Sequence, residues 1–123
     1  MMNPLNYGSR EACQRLVDAG IVLETEFVWY EFWNGTEQYY SLSINNIPGH
    51  PHIPAVSMAE AWRELPEQHE GCQLTLMKNY HKEYQNIAGY LGEVEWNINR
   101  FNTNTTDALI YLLIWVRTKG AKS

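Results

Sequence analysis

Three sets of side chains in this sequence have the types and spacing to do chemistry. His50-Pro51-His52 sets two imidazoles two residues apart, and in an extended segment such residues project the same way. Both could then reach one transition metal, zinc foremost, with a further ligand from His69, His81 or a glutamate. One reading is therefore a small metal-dependent enzyme built on His50 and His52. The plainer reading is two surface histidines in a proline-rich loop.

Glu24, Glu26 and Glu31 form an acidic set. Paired carboxylates divide acid and base roles when their surroundings push their pKa values apart, but a solvent-facing strand carries the same pattern. Cys13 and Cys72 are possible nucleophiles, and Arg10 and Arg15 flank Cys13. Both thiols lie among apolar neighbours, which reads as reduced, buried cysteine rather than a disulfide or a reactive thiolate. No nucleophile elbow, phosphate-binding glycine loop or zinc-protease helix is present. No catalytic residue and no cofactor is assigned.

The densest pattern is aromatic, with 5 Trp and 8 Tyr in 123 residues. Residues 21–33 are rich in β-branched and aromatic side chains, and Asn34-Gly35 follows directly. That dipeptide suits a two-residue type I′ hairpin. The turn would set Trp33 opposite Thr36, Trp29 opposite Tyr40, Phe27 opposite Leu42 and Thr25 opposite Ile44, all on one side, turned inward. The other side carries Glu24, Glu26, Ser41 and Ser43 at one end and Val28, Tyr30, Phe32 and Tyr39 toward the turn. These last four are expected to form an exposed contact surface.

Around the hairpin, a first helix starts after Ser9 as N-cap, buries Ala12, Cys13, Leu16 and Val17, and stops at Gly20. Residues 45–56 hold four proline or glycine residues (Pro48, Gly49, Pro51, Pro54) and read as an irregular connection. Ser57 and Glu60 match a capping box for a second helix burying Met58, Ala61, Trp62 and Leu65, ended by Pro66. Three strands follow: one on Cys72, Leu74 and Leu76, one over residues 84–91 weakened by Gly89 and Gly92, and one on Val94, Trp96 and Ile98. A last helix starts near Asn104, with Asp107 in its first turn and Leu109, Leu112, Leu113 and Val116 on its main face. Ile110, Ile114 and Trp115 make it apolar nearly all round, so it is either sandwiched inside the domain or covered by another chain. Those three residues join the expected contact surface.

The order α-β-β-α-β-β-β-α predicts one α+β domain over residues 1–123: an antiparallel sheet of about five strands with three helices mainly on one face. A net charge of −5 and only 9 basic residues disfavour nucleic acid, including single strands stacked on the sheet aromatics. The start lacks a signal peptide, and the longest apolar run, residues 108–116, falls short of the roughly 20 residues of a membrane span. The expectation is a cytoplasmic protein without a membrane partner.

Three stretches carry a resemblance. Ser9-Arg10-Glu11-Ala12-Cys13 leads to Gly20-Ile21-Val22-Leu23-Glu24-Thr25-Glu26; Ile53-Pro54-Ala55-Val56-Ser57 leads to Ala59-Glu60-Ala61-Trp62-Arg63-Glu64-Leu65-Pro66; the third spans residues 104–116. Together they resemble a group of small uncharacterised proteins encoded by phages and prophages of gut bacteria, which place proline where this chain has Thr105. The resemblance implies a phage-type origin and a shared fold, and no reaction. The expected function is a non-enzymatic protein-interaction role, with another protein or a second copy as partner.

Overall fold

A computed structural model describes residues 6–44, 49, 51–77, 86–93, 95–102 and 104–118. His50, His81, Tyr84 and Val94 lie outside the described residues. The fold is α+β. In chain order it comprises α1 (Arg10–Asp18), β1 (Phe27–Trp33), β2 (Gln38–Ile44), β3 (His52–Ala55), α2 (Met58–Glu64), β4 (Gln68–His69), β5 (Cys72–Met77), β6 (Asn86–Leu91), β7 (Trp96–Asn102) and α3 (Thr105–Thr118). The strands form two antiparallel sheets rather than one: a three-stranded sheet ordered β2-β1-β3 and a four-stranded sheet ordered β4-β5-β6-β7.

The helices begin where their caps say they should. Ser9 Oγ accepts from Ala12 N at 3.1 Å, and Ser57 and Glu60 satisfy each other's backbone donors at 3.1 and 2.9 Å. Each such cap is worth about 1 kcal/mol. Asn104 Oδ1 accepts from Asp107 N at 3.1 Å, and Asp107 Oδ1 accepts from Ser9 N at 2.7 Å. The caps of α1 and α3 are thereby tied together.

Leu109, Ile110, Leu112 and Leu113 of α3 are fully buried, each worth about 1.5–3 kcal/mol over exposure. α3 packs against α1 and α2 on one side and against β6 and β7 on the other, while α1 also packs against β3. The helices therefore lie between the sheets, not on one face of a single sheet. β6, expected to be weak, is the best buried strand, with residues 86–90 all inside. Gly89 is there because β7 comes too close for a side chain: a Cβ would stand 2.2 Å from Ile98 O and 2.8 Å from Asn99 Cα. Trp62, expected inside, is 41% exposed. No helix among the described residues is long and apolar enough to cross a membrane.

Candidate functional site on the hairpin sheet

The expected hairpin forms with a different loop. β1 and β2 pair with Trp33 opposite Gln38, Trp29 opposite Leu42 and Phe27 opposite Ile44, so the connection is the four-residue stretch 34–37. Asn34 causes the change: its Oδ1 accepts from Thr36 N at 3.0 Å and Glu37 N at 2.9 Å, an Asx-type closure, with Gly35 at φ +96°. The register moves by two residues. Because side chains alternate with a period of two, an even shift leaves the two faces as expected.

What the faces meet differs. His52–Ala55, expected to be irregular, is a strand paired with β1, with His52 opposite Tyr30 and Pro54 opposite Val28. Glu31 N donates to Pro51 O at 3.1 Å. Hydrogen-bonded pairs then recur at Trp29/Ile53 and Phe27/Ala55, and Pro54 falls where its missing N–H would have pointed away from β1. Val28 is consequently 3% exposed and Tyr30 1%, and neither is a contact surface. The His52 ring stands edge-on to Tyr30 at 5.7 Å, and Leu23, Glu24 and Thr25 lie beside Val28 and Pro54. From Tyr30 the row of rings continues to Phe32 at 6.1 Å and Tyr39 at 5.3 Å. Phe32 is half-buried, and of the expected four only Tyr39 is exposed.

The last helix also corrects the expectation. Ile110 is buried against Gly8, since a Cβ there would meet Ile110 Cδ1 at 2.2 Å. Ile114 and Trp115 are half-buried, and the His69 ring closes edge-on against Trp115 at 5.2 Å. α3 is thus mostly, though not wholly, covered by its own chain.

The ionisable candidates are scattered. Glu24 and Glu26 are exposed, and Glu31 lies across β1 with its carboxylate accepting from Gln38 Nε2. Among the described residues no group of three His, Cys, Asp or Glu could hold a metal ion. Cys13 is buried with Sγ 3.7 Å from Gly8 O, and burial pushes its thiol up to about 11. Cys72 is a half-buried free thiol. Burial also raises Tyr7, helped by Glu26 and Glu60, and raises Tyr111 against the opposing pull of Arg15.

Two features of this sheet escape inspection of the sequence. On the Trp29 face, Arg10 of α1 stacks over Tyr40, its Cζ 4.2 Å from the ring centroid. The i,i+4 pair Arg10/Gln14 on one helix face is the only trace of this in the chain, and nothing local ties it to Tyr40. The second feature is the edge of β2. Asn34 N donates to Glu37 O at 3.2 Å, which sets the alternation: Phe32/Tyr39 and Tyr30/Ser41 exchange bonds, while Gln38, Tyr40, Leu42 and Ile44 turn their N–H and C=O groups outward. No β-strand among the described residues pairs with that edge.

Comparison with protein-family models, with curated proteins and with solved structures finds no match for this chain.

Proposed function

We propose that this chain is a non-enzymatic protein-interaction protein that self-associates by pairing β2 with β2 of a second copy. The observation that carries the reading is that β2 is the one long sheet edge, among the described residues, with no protection. Natural edges are blunted by charge, proline, bulges, shortness or a cover. β3 is four residues long and holds Pro54; β7 carries Arg100 and pairs through an irregularity at Tyr90/Leu91; β5 is partly covered by β4. β2, Gln-Tyr-Tyr-Ser-Leu-Ser-Ile, runs seven residues with no charge, proline or glycine.

The edge is also complementary to itself. An antiparallel pairing about a two-fold axis at Ser41 sets Gln38 against Ile44 and Tyr40 against Leu42 of the second copy. Every outward-facing N–H and C=O then meets its counterpart, and the side chains stay on their own faces. Exposed Tyr39 and Ile44 lie along this seam. The reading extends to a cytoplasmic, phage- or prophage-encoded protein, on the resemblance of residues 9–26, 53–66 and 104–116 to that group.

Ser41 supplies the test, because it is exposed in the single chain and faces its own copy across the axis. Like charges directly opposite each other destabilise a strand pair. By sedimentation equilibrium of untagged protein, the wild type is expected to be a dimer, Ser41→Lys and Ser41→Glu each monomers, and their equimolar mixture a dimer again. A wild type that stays monomeric, or a dimer indifferent to both substitutions, would refute the pairing.

A further inference from the structure

Where α3 meets the end of α1 and the strand β7 lies an open groove of about 460 Å³, within the size range of small-molecule sites. Arg15, Arg100, Tyr111, Ile114, Trp115 and Thr118 line it, and no carboxylate is among them. Arg100 stands opposite Ala88, on the face of the sheet that is buried against the helices. An inward-pointing charge blunts an edge strand, but a partly buried charge also calls for a counter-charge. Arg100 has none among the described residues: one Nη donates to Asn99 O at 2.8 Å, and it forms no ion pair.

The second guanidinium comes from α1. Arg15 stands over the Tyr111 ring, its Cζ 5.7 Å from the centroid. Its ion pair with Glu11 is an exposed i,i+4 contact at 3.3 Å, and such pairs hold a side chain only weakly. The acids that act on Tyr111, Glu11 and Asp107, are engaged by Arg15 and by Ser9 N. The Tyr111 hydroxyl, the Trp115 N–H and the remaining nitrogens of Arg100 make no hydrogen bond among the described residues. All of them are in reach of solvent, since among the described residues Arg10 Nε alone is buried without a partner. Two guanidinia with no carboxylate in the wall suit a dianion, and their planar forks match phosphate oxygens. Thr118, whose hydroxyl is given to Ile114 O at 2.6 Å, keeps its lone pairs to accept. The rest of the wall, Ile114 and the Trp115 ring, is the kind of surface on which a planar base packs.

We propose that this groove binds a nucleoside monophosphate, its phosphate between Arg15 and Arg100 and its base against Trp115 and Ile114. The test is calorimetric titration of the full chain with adenosine monophosphate, with adenosine, which lacks the phosphate, and with ribose phosphate, which lacks the base. The nucleotide is expected to saturate, with each fragment weaker by about tenfold or more, as loss of a charge-assisted contact or of a stacked base implies. Arg15→Gln, at an exposed position of α1, is expected to weaken the nucleotide by about tenfold and to leave adenosine unchanged. Arg100→Gln is expected to do the same, and Arg15→Gln decides the matter if that variant does not fold. Failure of the nucleotide to saturate at millimolar concentration overturns the proposal, as does wild-type affinity in Arg15→Gln. Adenosine matching the nucleotide removes the phosphate from the account, and ribose phosphate matching it removes the base; either result overturns the assignment. None of these outcomes depends on self-association, since β2 belongs to the other sheet.

Discussion

The two sheets are built from similar lengths of strand and hold opposite relations to solvent. In the four-stranded sheet the second-from-edge strand, β6, is buried along residues 86–90 and roofed by α3. In the three-stranded sheet the central strand, β1, is buried at Val28 and Tyr30, while its partner β2 is exposed at Gln38, Tyr39, Ser41 and Ile44. One sheet is organised by what it packs against. The other keeps an unshielded edge, which is where a surface that meets other molecules would be expected. Aromatic content does not separate them: rings serve the interior in one case (Tyr90, donating to Pro66 O at 2.7 Å) and line the way outward in the other (Tyr30, Phe32, Tyr39).

That contrast can be broken most forcefully at α3. Leu112→Ala removes a fully buried side chain beneath the four-stranded sheet and is expected to cost about 3–4 kcal/mol. Ile44→Ala, at an exposed end of β2, is expected to stay within about 0.5 kcal/mol for the single chain. Urea melts of the two variants at concentrations where the chain is monomeric give both numbers, and equal losses would dissolve the distinction between the sheets.

A somewhat smaller effect is expected at the glycines. Gly89→Ala pushes a methyl into β7 backbone, an overpacking worth about 3 kcal/mol. Gly35→Ala meets open space and suffers only from its φ of +96°, a cost of about 1 kcal/mol. The same melts rank them, and the reverse order would mean that the two strands do not approach as closely as described.

The mildest test sharpens the comparison with pH. The Cys13 thiol, raised by burial from 9.0 to about 11, keeps its proton in the folded chain over a range where the unfolded chain has lost it. Its contribution is therefore complete below about pH 9 and is lost as pH rises through about 11, a change of roughly 2–3 kcal/mol. Raised Tyr7, Tyr90 and Tyr111 act in the same direction at higher pH, so the thiol is isolated by comparing wild type with Cys13→Ala. A parallel decline in both proteins between pH 9 and 11 would remove Cys13 from the account.

The caps at Ser9 and at Ser57 with Glu60 were legible because a cap is a local hydrogen bond between residues three apart. The two faces of the hairpin were legible because alternation survives an even register shift. Loop length was not, since the Asn34 side chain competes with the backbone turn and its choice is not written in the dipeptide. β3 was hidden by Pro54, which a strand accepts only where its nitrogen faces away from the partner. The burial of Tyr30 followed from that hidden strand, because His52 arrives with it. The groove of Arg15 and Arg100 combines residues from α1, β7 and α3, and no single stretch of sequence announces it.

Gly8 has a consequence for how the molecule comes apart. Its carbonyl takes the Trp29 indole and approaches the Cys13 thiol, its N–H reaches Val56 O at 2.8 Å, and its bare Cα lies against Ile110. Gly8 is thus one tie between the hairpin sheet and the helices, beside the Arg10–Tyr40 stack and the packing of α1 on β3. If these ties open, β1, β2 and β3 can detach as a subglobal unit while α3 and the four-stranded sheet remain shut. Amide exchange of β1 and β6 would then separate into two isotherms at low denaturant, and any methyl placed on Gly8 should bring the first of them forward.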